Sequence, residues 1–467
     1  MNTSKALDLE AIIDQGGVTG LQIAIFLLCG LIAMIDGFDT QAIAFVAPQI
    51  ISEWNVEPAA FGRVFGAGLL GGLVGALVLG AAGDRFGRKT TMLCAVLVFA
   101  VASLLTPFAE SIGELTALRF VTGIGLGGAL PAFISLTSEY APKRLRSSLV
   151  GMMFCGFPLG AVVGGVASAA LIPAFGWKGV FFAGGALPLL ILPIFLVVSP
   201  ESVRYLALRG DRDAIARILN RMNARGRWNG EIGFCSGVSR LPVSGLFRSG
   251  RAPTTLLLWI SFFLSLLLTY FLINWIPIVA RGYGFDIEQA VFAVSMLNFG
   301  AVAGCIVLGR LSDRYGAPVV IGAGYLAGAL AIGAIGFVGW SPRLLYTAAF
   351  VAGALSIGAQ MCTVALCAVY YDTSLRATGI GWAMGVGRIG AIVGPVLGGV
   401  LLGSGVTSGM LFLVAGATSA GAAVAVLLLG RFMRRQGHRK EDGRTDFHAD
   451  GPSGSDFSSL ASMTTLD

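Results

Sequence analysis

The sequence predicts an all-α polytopic membrane protein, with twelve transmembrane helices in two pseudo-symmetric six-helix halves. Composition is the first ground. The chain has 467 residues, 55% of them hydrophobic and 12% charged, with a mean hydropathy of +0.81. Soluble domains carry about 25% charged residues, roughly twice as many. The second ground is a series of apolar runs, each near the ~20 residues that a membrane-spanning helix needs. The third is an internal repeat. Together they exclude a soluble globular enzyme, a disordered chain and a disulfide scaffold. The 67 glycines show no collagen-like period, and they suit close helix packing in lipid.

Taken in order, residues 1–20 are polar and lack the pattern of a signal peptide. Twelve spans follow, near 21–50, 60–82, 90–108, 114–138, 148–172, 178–198, 254–280, 288–309, 318–338, 343–368, 376–402 and 408–430. The runs are too long for barrel strands and do not alternate. The halves are therefore 21–198 and 254–430, joined by a polar segment at 199–253. That segment holds ten arginines from Arg204 to Arg251. It reads as a cytoplasmic linker with surface helices, not as a nucleic-acid site. The tail at 431–467 starts basic and ends rich in Ser and Asp, so disorder is expected there.

An even number of spans puts both termini on one side. Of the 32 Lys and Arg, 26 fall on the termini and every second loop. The opposite side holds Arg63, Lys178, Arg281 and Arg343, while Arg119 and Arg388 lie within spans. Basic residues mark the cytoplasm, so both termini are expected there, in a cell inner membrane. The net charge of +7 is thus a topology signal.

The repeat joins separate matches at nearly one offset. Gly80, Asp84, Arg85 and Gly87 recur as Gly309, Asp313, Arg314 and Gly316, 229 residues later. Phe120-Val-Thr-Gly123 recurs as Phe350-Val-Ala-Gly353, and Gly160-Ala-Val-Val-Gly164 as Gly390-Ala-Ile-Val-Gly394, both at an offset of 230. The chain reads as a duplicated six-helix unit. Parallel repeats of this kind build carriers with a midplane site between the halves.

Metal and redox chemistry find no support. The seven cysteines form no CxxC and sit mostly in apolar runs, and both histidines, His438 and His448, lie in the tail. No metal site and no cofactor are expected, beyond a proton as coupling ion. No nucleophile motif or phosphate loop suggests an enzyme.

The run Gly80-Ala-Ala-Gly-Asp84-Arg85-Phe-Gly87-Arg88-Lys89 resembles the loop signature of the major facilitator superfamily, and Pro200-Glu201-Ser202-Val-Arg204 resembles another of its signatures. The second copy, at Gly309 to Gly316, is degenerate and ends in Ala317-Pro318. Asp84, Arg85, Arg88, Glu139, Glu201, Arg204, Asp313 and Arg314 are assigned to gating latches between the halves. The first span reads Asp36-Gly-Phe38-Asp39-Thr-Gln-Ala42. It is similar to the pattern of the aromatic acid:proton symporter family within that superfamily. Phe45-Val-Ala-Pro48 and the stretch from Arg376 through Trp382 to Arg388 and Gly390 add to the likeness. The resemblance implies uptake of benzoate-, hydroxybenzoate- or phenylpropionate-like anions with protons.

The residues themselves point to the same class. Asp36 lies about 22 Å along a helix starting near Leu21, at ~1.5 Å per residue. Asp39 is one turn further on, so the two carboxylates share a face. A charge at that depth costs about 2.5–3.5 kcal/mol on insertion scales, which marks it as functional. Either aspartate can carry the proton; pairing with an arginine for structure alone is the bland alternative. Arg119, in Leu118-Arg-Phe-Val-Thr-Gly, resembles a facilitator motif of proton coupling and is assigned to pair with the acid until a proton displaces it. At the 230-residue offset Arg388 corresponds to Pro158 and Arg119 to Ala349, so the duplication requires neither arginine. A guanidinium facing a cavity matches a carboxylate with its two-pronged fork. Arg388 is therefore the expected substrate anchor. Phe38, Tyr270, Asn274, Asn298, Gln360 and Trp382 are candidates to stack on a ring or bond to it. The expected partners are a small aromatic acid, protons and membrane lipid, with the chain acting as a monomer. The rival readings are a facilitator for another organic anion or a sugar, such as a muconate-like dicarboxylate, and an aromatic-acid chemoreceptor.

Overall fold

The computed structural model describes residues 7–8, 18–222, 232–233, 243–248, 250–337, 341–371 and 373–449. Its first half contains α1 (Gly20–Trp54), α2 (Phe61–Phe86), α3 (Arg88–Leu105), α4 (Ile112–Tyr140), α5 (Lys143–Phe154) and α6 (Gly156–Val198). Helix α1 begins where Thr19 and Gln22 form a capping box. The Gln22 amide also donates to the carbonyl of Tyr140 at 2.8 Å, tying the start of α1 to the end of α4. Helix α6 has 43 residues, about 65 Å at ~1.5 Å per residue, twice the hydrocarbon thickness. It breaks at Gly176, where φ is 68°, a backbone that glycine adopts without a Cβ clash. The break divides it into the fifth and sixth spans, with α5 leading into the fifth.

Two short helices, α7 (Val203–Arg209) and α8 (Arg212–Met222), open the linker. Helix α8 buries Ile215, Ile218, Leu219 and Met222, an i, i+3, i+4, i+7 stripe. Leu7–Asp8 pairs in parallel with Ile232–Gly233, so one short ladder interrupts an otherwise helical fold. The second half contains α9 (Ala252–Gly282), α10 (Ile287–Tyr315), α11 (Ala317–Ile335), α12 (Pro342–Ala352), α13 (Gly358–Tyr370), α14 (Thr373–Gly403) and α15 (Ser408–Ala449). A π-turn at Gly353–Ile357 joins α12 to α13 in one span. Helix α15 runs past Arg431 to Ala449, where the sequence reading expects disorder. Residues 431–449 hold five arginines, one Lys, one Gln and one Glu, all good helix formers, and no proline. Residues 450–467 lie outside the described ones.

The duplication is visible in the packing. Helix α1 meets α6 where a Cβ on Gly37 or Gly160 would overlap the backbone of Phe157 or Met34. Helix α9 meets α14 in the same way at Gly390 and Gly394, against Phe263 and Leu267. Gly87 and Gly316, at corresponding turns, both have positive φ, at 102° and 92°.

Three apolar cores show how the halves sit. One runs through both, joining Phe45, Phe61, Phe65 and Trp177 to Phe271, Trp275, Val294 and Leu297. It lies toward the helix ends remote from the linker. Toward the linker the core divides. The first half has its own cluster around Phe99, Phe133, Tyr140 and Leu219. The second half has another around Leu258, Phe262, Tyr325 and Tyr371. Among the described residues the halves thus share a core on the remote side and are parted on the linker side.

Candidate transport site

A cavity of about 180 Å³ lies between the halves. It exceeds the ~150 Å³ of an apolar protein cavity that takes up benzene. Asp36, Asp39 and Thr40 of α1 face it, as do Arg119 of α4, Tyr270 and Asn274 of α9 and Arg388 of α14. Its other walls are largely apolar, among them Ile43, Val64, Phe65, Leu126, Phe157 and Met384.

The two aspartates have separate settings. Asp39 is fully buried, with Oδ2 3.5 Å from the guanidinium of Arg119. Its Oδ1 accepts a 2.7 Å hydrogen bond from Ser103. Arg119 donates to Thr106 at 2.9 Å and lies over the ring of Phe181 at 4.6 Å. Asp39 Oδ2 and Arg119 Nε have no hydrogen-bond partner among the described residues, so the pair leaves hydrogen-bonding capacity free. Asp36 accepts a 3.2 Å hydrogen bond from Thr40 and no cation lies within ion-pair distance of it among the described residues.

Arg388 crosses the interface, donating to the carbonyl of Gly72 at 3.1 Å. No carboxylate reaches it at ion-pair distance among the described residues. Asn274 donates to the carbonyl of Tyr270 at 2.6 Å, which fixes its side chain beside the tyrosine one turn earlier.

Four expected substrate residues do not line this cavity. Phe38 is buried against Gly164 and Gly184, where it fills the contact between α1 and α6. Asn298 is bound to Gln41 through their amides. Trp382 is 46% exposed and stacks on Trp259 at 5.8 Å, away from the centre. Gln360 is half-buried on α13, outside the lining. Residue type alone nominated these four; helix rotation decides which side chains reach the centre.

Two of the residues assigned to gating, Glu139 and Glu201, bond within the first half. Glu201 accepts from the backbone N–H of Lys89 and of Ser202, both at 2.8 Å. Glu139 accepts from Ser135 at 2.9 Å and from the Ser202 hydroxyl at 2.5 Å. These bonds tie the α2–α3 turn, the end of α4 and the start of α7 within one half, instead of bridging the halves. Arg88 is half-buried beside this cluster, and Arg85, Arg204, Asp313 and Arg314 are exposed. The side chain of Asp84 lies outside the described residues.

Ser103, Thr106 and Phe181, which complete the setting of the ion pair, were missed. Nothing in the sequence singles out two hydroxyls and a phenylalanine in apolar runs. Gln41 stood inside the first-span motif without a role.

Two six-helix halves around a charged, apolar-walled central cavity define a secondary carrier of the membrane. The profile of the Major Facilitator Superfamily matches residues 29–395 and 258–454. The chain is 39% identical over 411 residues to the 4-hydroxybenzoate transporter PcaK of Pseudomonas putida, covering 86% of this chain and 91% of that one. It is 38% identical to the gallate transporter of Pseudomonas putida, covering 91% and 95%. The 3-(3-hydroxy-phenyl)propionate transporter of Escherichia coli is 37% identical, covering 86% and 93%. The xylose transporter XylE from E. coli, in a partially occluded inward-open conformation, superimposes with a TM-score of 0.66 at 17% identity, covering 87% and 97%. That likeness concerns the fold. The chain belongs to the major facilitator superfamily and, within it, to the aromatic acid transporter family; its members are transporters, not enzymes.

Proposed function

We propose that this chain imports an aromatic carboxylate together with protons, by alternating access. One observation carries the reading: Arg388 faces an apolar cavity of ring-sized volume with a backbone carbonyl as its described partner. A carboxylate from the substrate supplies the missing counter-charge through the guanidinium fork. Tyr270 and Asn274 flank the ring, and Phe65, Phe157 and Met384 cover it.

Asp39 is the proton carrier in this reading. Its Oδ2 accepts the proton and releases Arg119, which keeps Thr106 and the Phe181 ring as partners. Asp36, without an arginine at ion-pair distance among the described residues, completes the polar side of the cavity. A monovalent anion entering a negative cell works against about 2.3 kcal/mol per 100 mV, and one co-transported proton cancels that charge. The same reading puts the protein in the bacterial inner membrane as a monomer, surrounded by lipid, with both termini cytoplasmic. The linker side is then the inner side, and the parted halves correspond to an inward-open conformation. No metal or organic cofactor takes part.

The test is uptake of a radiolabelled panel of benzoate, hydroxybenzoates, gallate and phenylpropionates, with and without a protonophore and with sodium replaced. Saturable uptake of at least one acid, abolished by the protonophore and indifferent to sodium, is expected. Accumulation that survives collapse of the proton gradient refutes the symport.

A further inference from the structure

We propose that Gln41 and Asn298 form the outer latch of this carrier, a reciprocal amide pair that holds the halves together on the outer side and parts each time the site opens outward. The inference rests on the alternating-access reading and not on the identity of the substrate.

The Gln41 Nε2 donates to Asn298 Oδ1 at 3.2 Å, and Asn298 Nδ2 donates back to Gln41 Oε1 at 2.9 Å. Asn298 also donates to the carbonyl of Val294 at 3.0 Å, which fixes its rotamer. Gln41 is on α1 and Asn298 on α10, so the pair spans the two halves. Both are buried, at 0% and 4% exposure, and neither lines the central cavity. At the 230-residue offset Gln41 corresponds to Phe271 and Asn298 to Gly68. The duplication requires neither amide.

The surroundings give the pair its leverage. Ala42, Phe45, Leu297 and Ala301 belong to the apolar core that joins the halves. The halves also touch nearby at Gly165 against Ser295 and at Gly62 against Gly399. An apolar seal of that kind closes without direction. An amide pair closes in one register, because each side chain offers the donor and the acceptor that the other needs. An amide stripped of its partner in a dry seal also loses its solvation. Water must therefore enter before the pair parts, and the latch holds until the outer cleft wets. Gln41 lies two residues beyond Asp39 on the same helix. A shift of α1 that accompanies rearrangement at Asp39 also moves the latch.

The experiment reads opening directly, in intact cells and without substrate. Ser295→Cys puts a thiol in the seal, at a position 1% exposed and one turn before Asn298. Cys29, Cys94, Cys155, Cys305, Cys362 and Cys367 lie on the linker-side parts of their helices. A chain without the introduced thiol measures the background. A membrane-impermeant maleimide labels the introduced thiol slowly when the latch is intact. Gln41→Ala or Asn298→Ala is expected to speed labelling about ten-fold, the scale of two net hydrogen bonds. Gln41→Asn and Asn298→Gln alone also speed it. The two together restore the combined reach and return the rate to within about two-fold of the intact latch. Unchanged labelling in the alanine variants overturns the proposal, as does a double exchange that labels as fast as the single ones. Ala47→Cys, buried in the same core on α1, repeats the measurement from the first half where Ser295→Cys lowers the amount of protein. A null result here leaves the aromatic-acid reading intact, and failure of the uptake panel leaves the latch intact.

Discussion

Removing the charge of Asp39 is expected to destabilise the protein and to uncouple it, and the two effects separate. Asn at this position keeps the size of Asp39 and still accepts from Ser103, which donates at 2.7 Å in the wild type. It leaves Arg119 as a buried cation whose counter-charge, 3.5 Å away, is gone. At an effective dielectric of about 20, charges at that distance attract by about 5 kcal/mol. Much of this is offset by desolvation, and breaking a buried pair from one side typically costs about 3–5 kcal/mol. Thr106 and Phe181 retain part of the guanidinium's stabilisation, so the lower end is expected. At ~2 °C per kcal/mol for a large chain, Asp39→Asn should melt about 6 °C lower in detergent. Arg119→Met leaves the opposite orphan and should cost a similar amount. The double variant removes both charges and should recover more than half of the loss. In proteoliposomes, Asp39→Asn should exchange labelled for unlabelled acid yet fail to accumulate it against a gradient. Additive losses in the double variant, or full accumulation by Asp39→Asn, would refute the coupling of this pair to the proton.

Arg388→Lys should weaken binding of the acid about ten-fold and Arg388→Ala up to about a hundred-fold, the range of a charge-assisted contact; the matching neutral amide should bind weakly and equally to all three in competition assays. Asp36→Asn should leave the melting temperature within about 2 °C of wild type, since Asp36 has no ion-pair partner to orphan among the described residues. Glu201→Gln weakens the acceptor of two backbone N–H groups and should lower the maximal rate more than affinity, as read from initial uptake over a range of substrate concentrations. Gly37→Ala forces a Cβ into the carbonyl of Phe157 and should lower the yield of folded protein in the membrane, measured by fluorescence-detected gel filtration.

The fold was readable because lipid simplifies the problem. Backbone groups in hydrocarbon bond internally, so span length and hydropathy nearly suffice to place a helix. The break at Gly176 in the run from Gly156 to Val198 was legible, because the expected spans at 148–172 and 178–198 leave it between them. What escaped was local. The helical continuation beyond Arg431 is a matter of propensity, which composition had marked as polar tail. In the site, the charged residues were legible because each is an expensive group at membrane depth. Asp36, Asp39, Arg119 and Arg388 all face the cavity. Of the six neutral candidates only Tyr270 and Asn274 face it, because an amide or an aromatic ring has several ways to be satisfied. Asn298 and Asn274 have the same chemistry, yet one closes the interface and the other faces the cavity.

That contrast bears on why the first span carries two acids instead of one. A single carboxylate cannot hold an arginine at full strength and also remain open to the cavity. Asp39 lies between Ser103 and Arg119, whose guanidinium also covers the Phe181 ring, so a proton there changes the pairing of a buried charge. Asp36, one turn earlier, accepts from a hydroxyl of its own helix as its sole side-chain partner among the described residues and shares the cavity with Arg388. A substrate carboxylate held, as proposed, by Arg388 would share the cavity with Asp36. With Asp36 ionised, the two carboxylates repel across the cavity; with a proton there, they do not. In the proposed reading, a proton on Asp36 and anion binding then favour each other through space, beside the proton that Asp39 carries. Thermodynamic reciprocity demands that the substrate raise proton occupancy by the same factor as the proton raises substrate affinity. Measuring acid affinity across pH in wild type and in Asp36→Asn tests this: the pH dependence should flatten in the variant while binding at the acidic end is retained. A variant that keeps the wild-type slope would assign the whole of the coupling to Asp39.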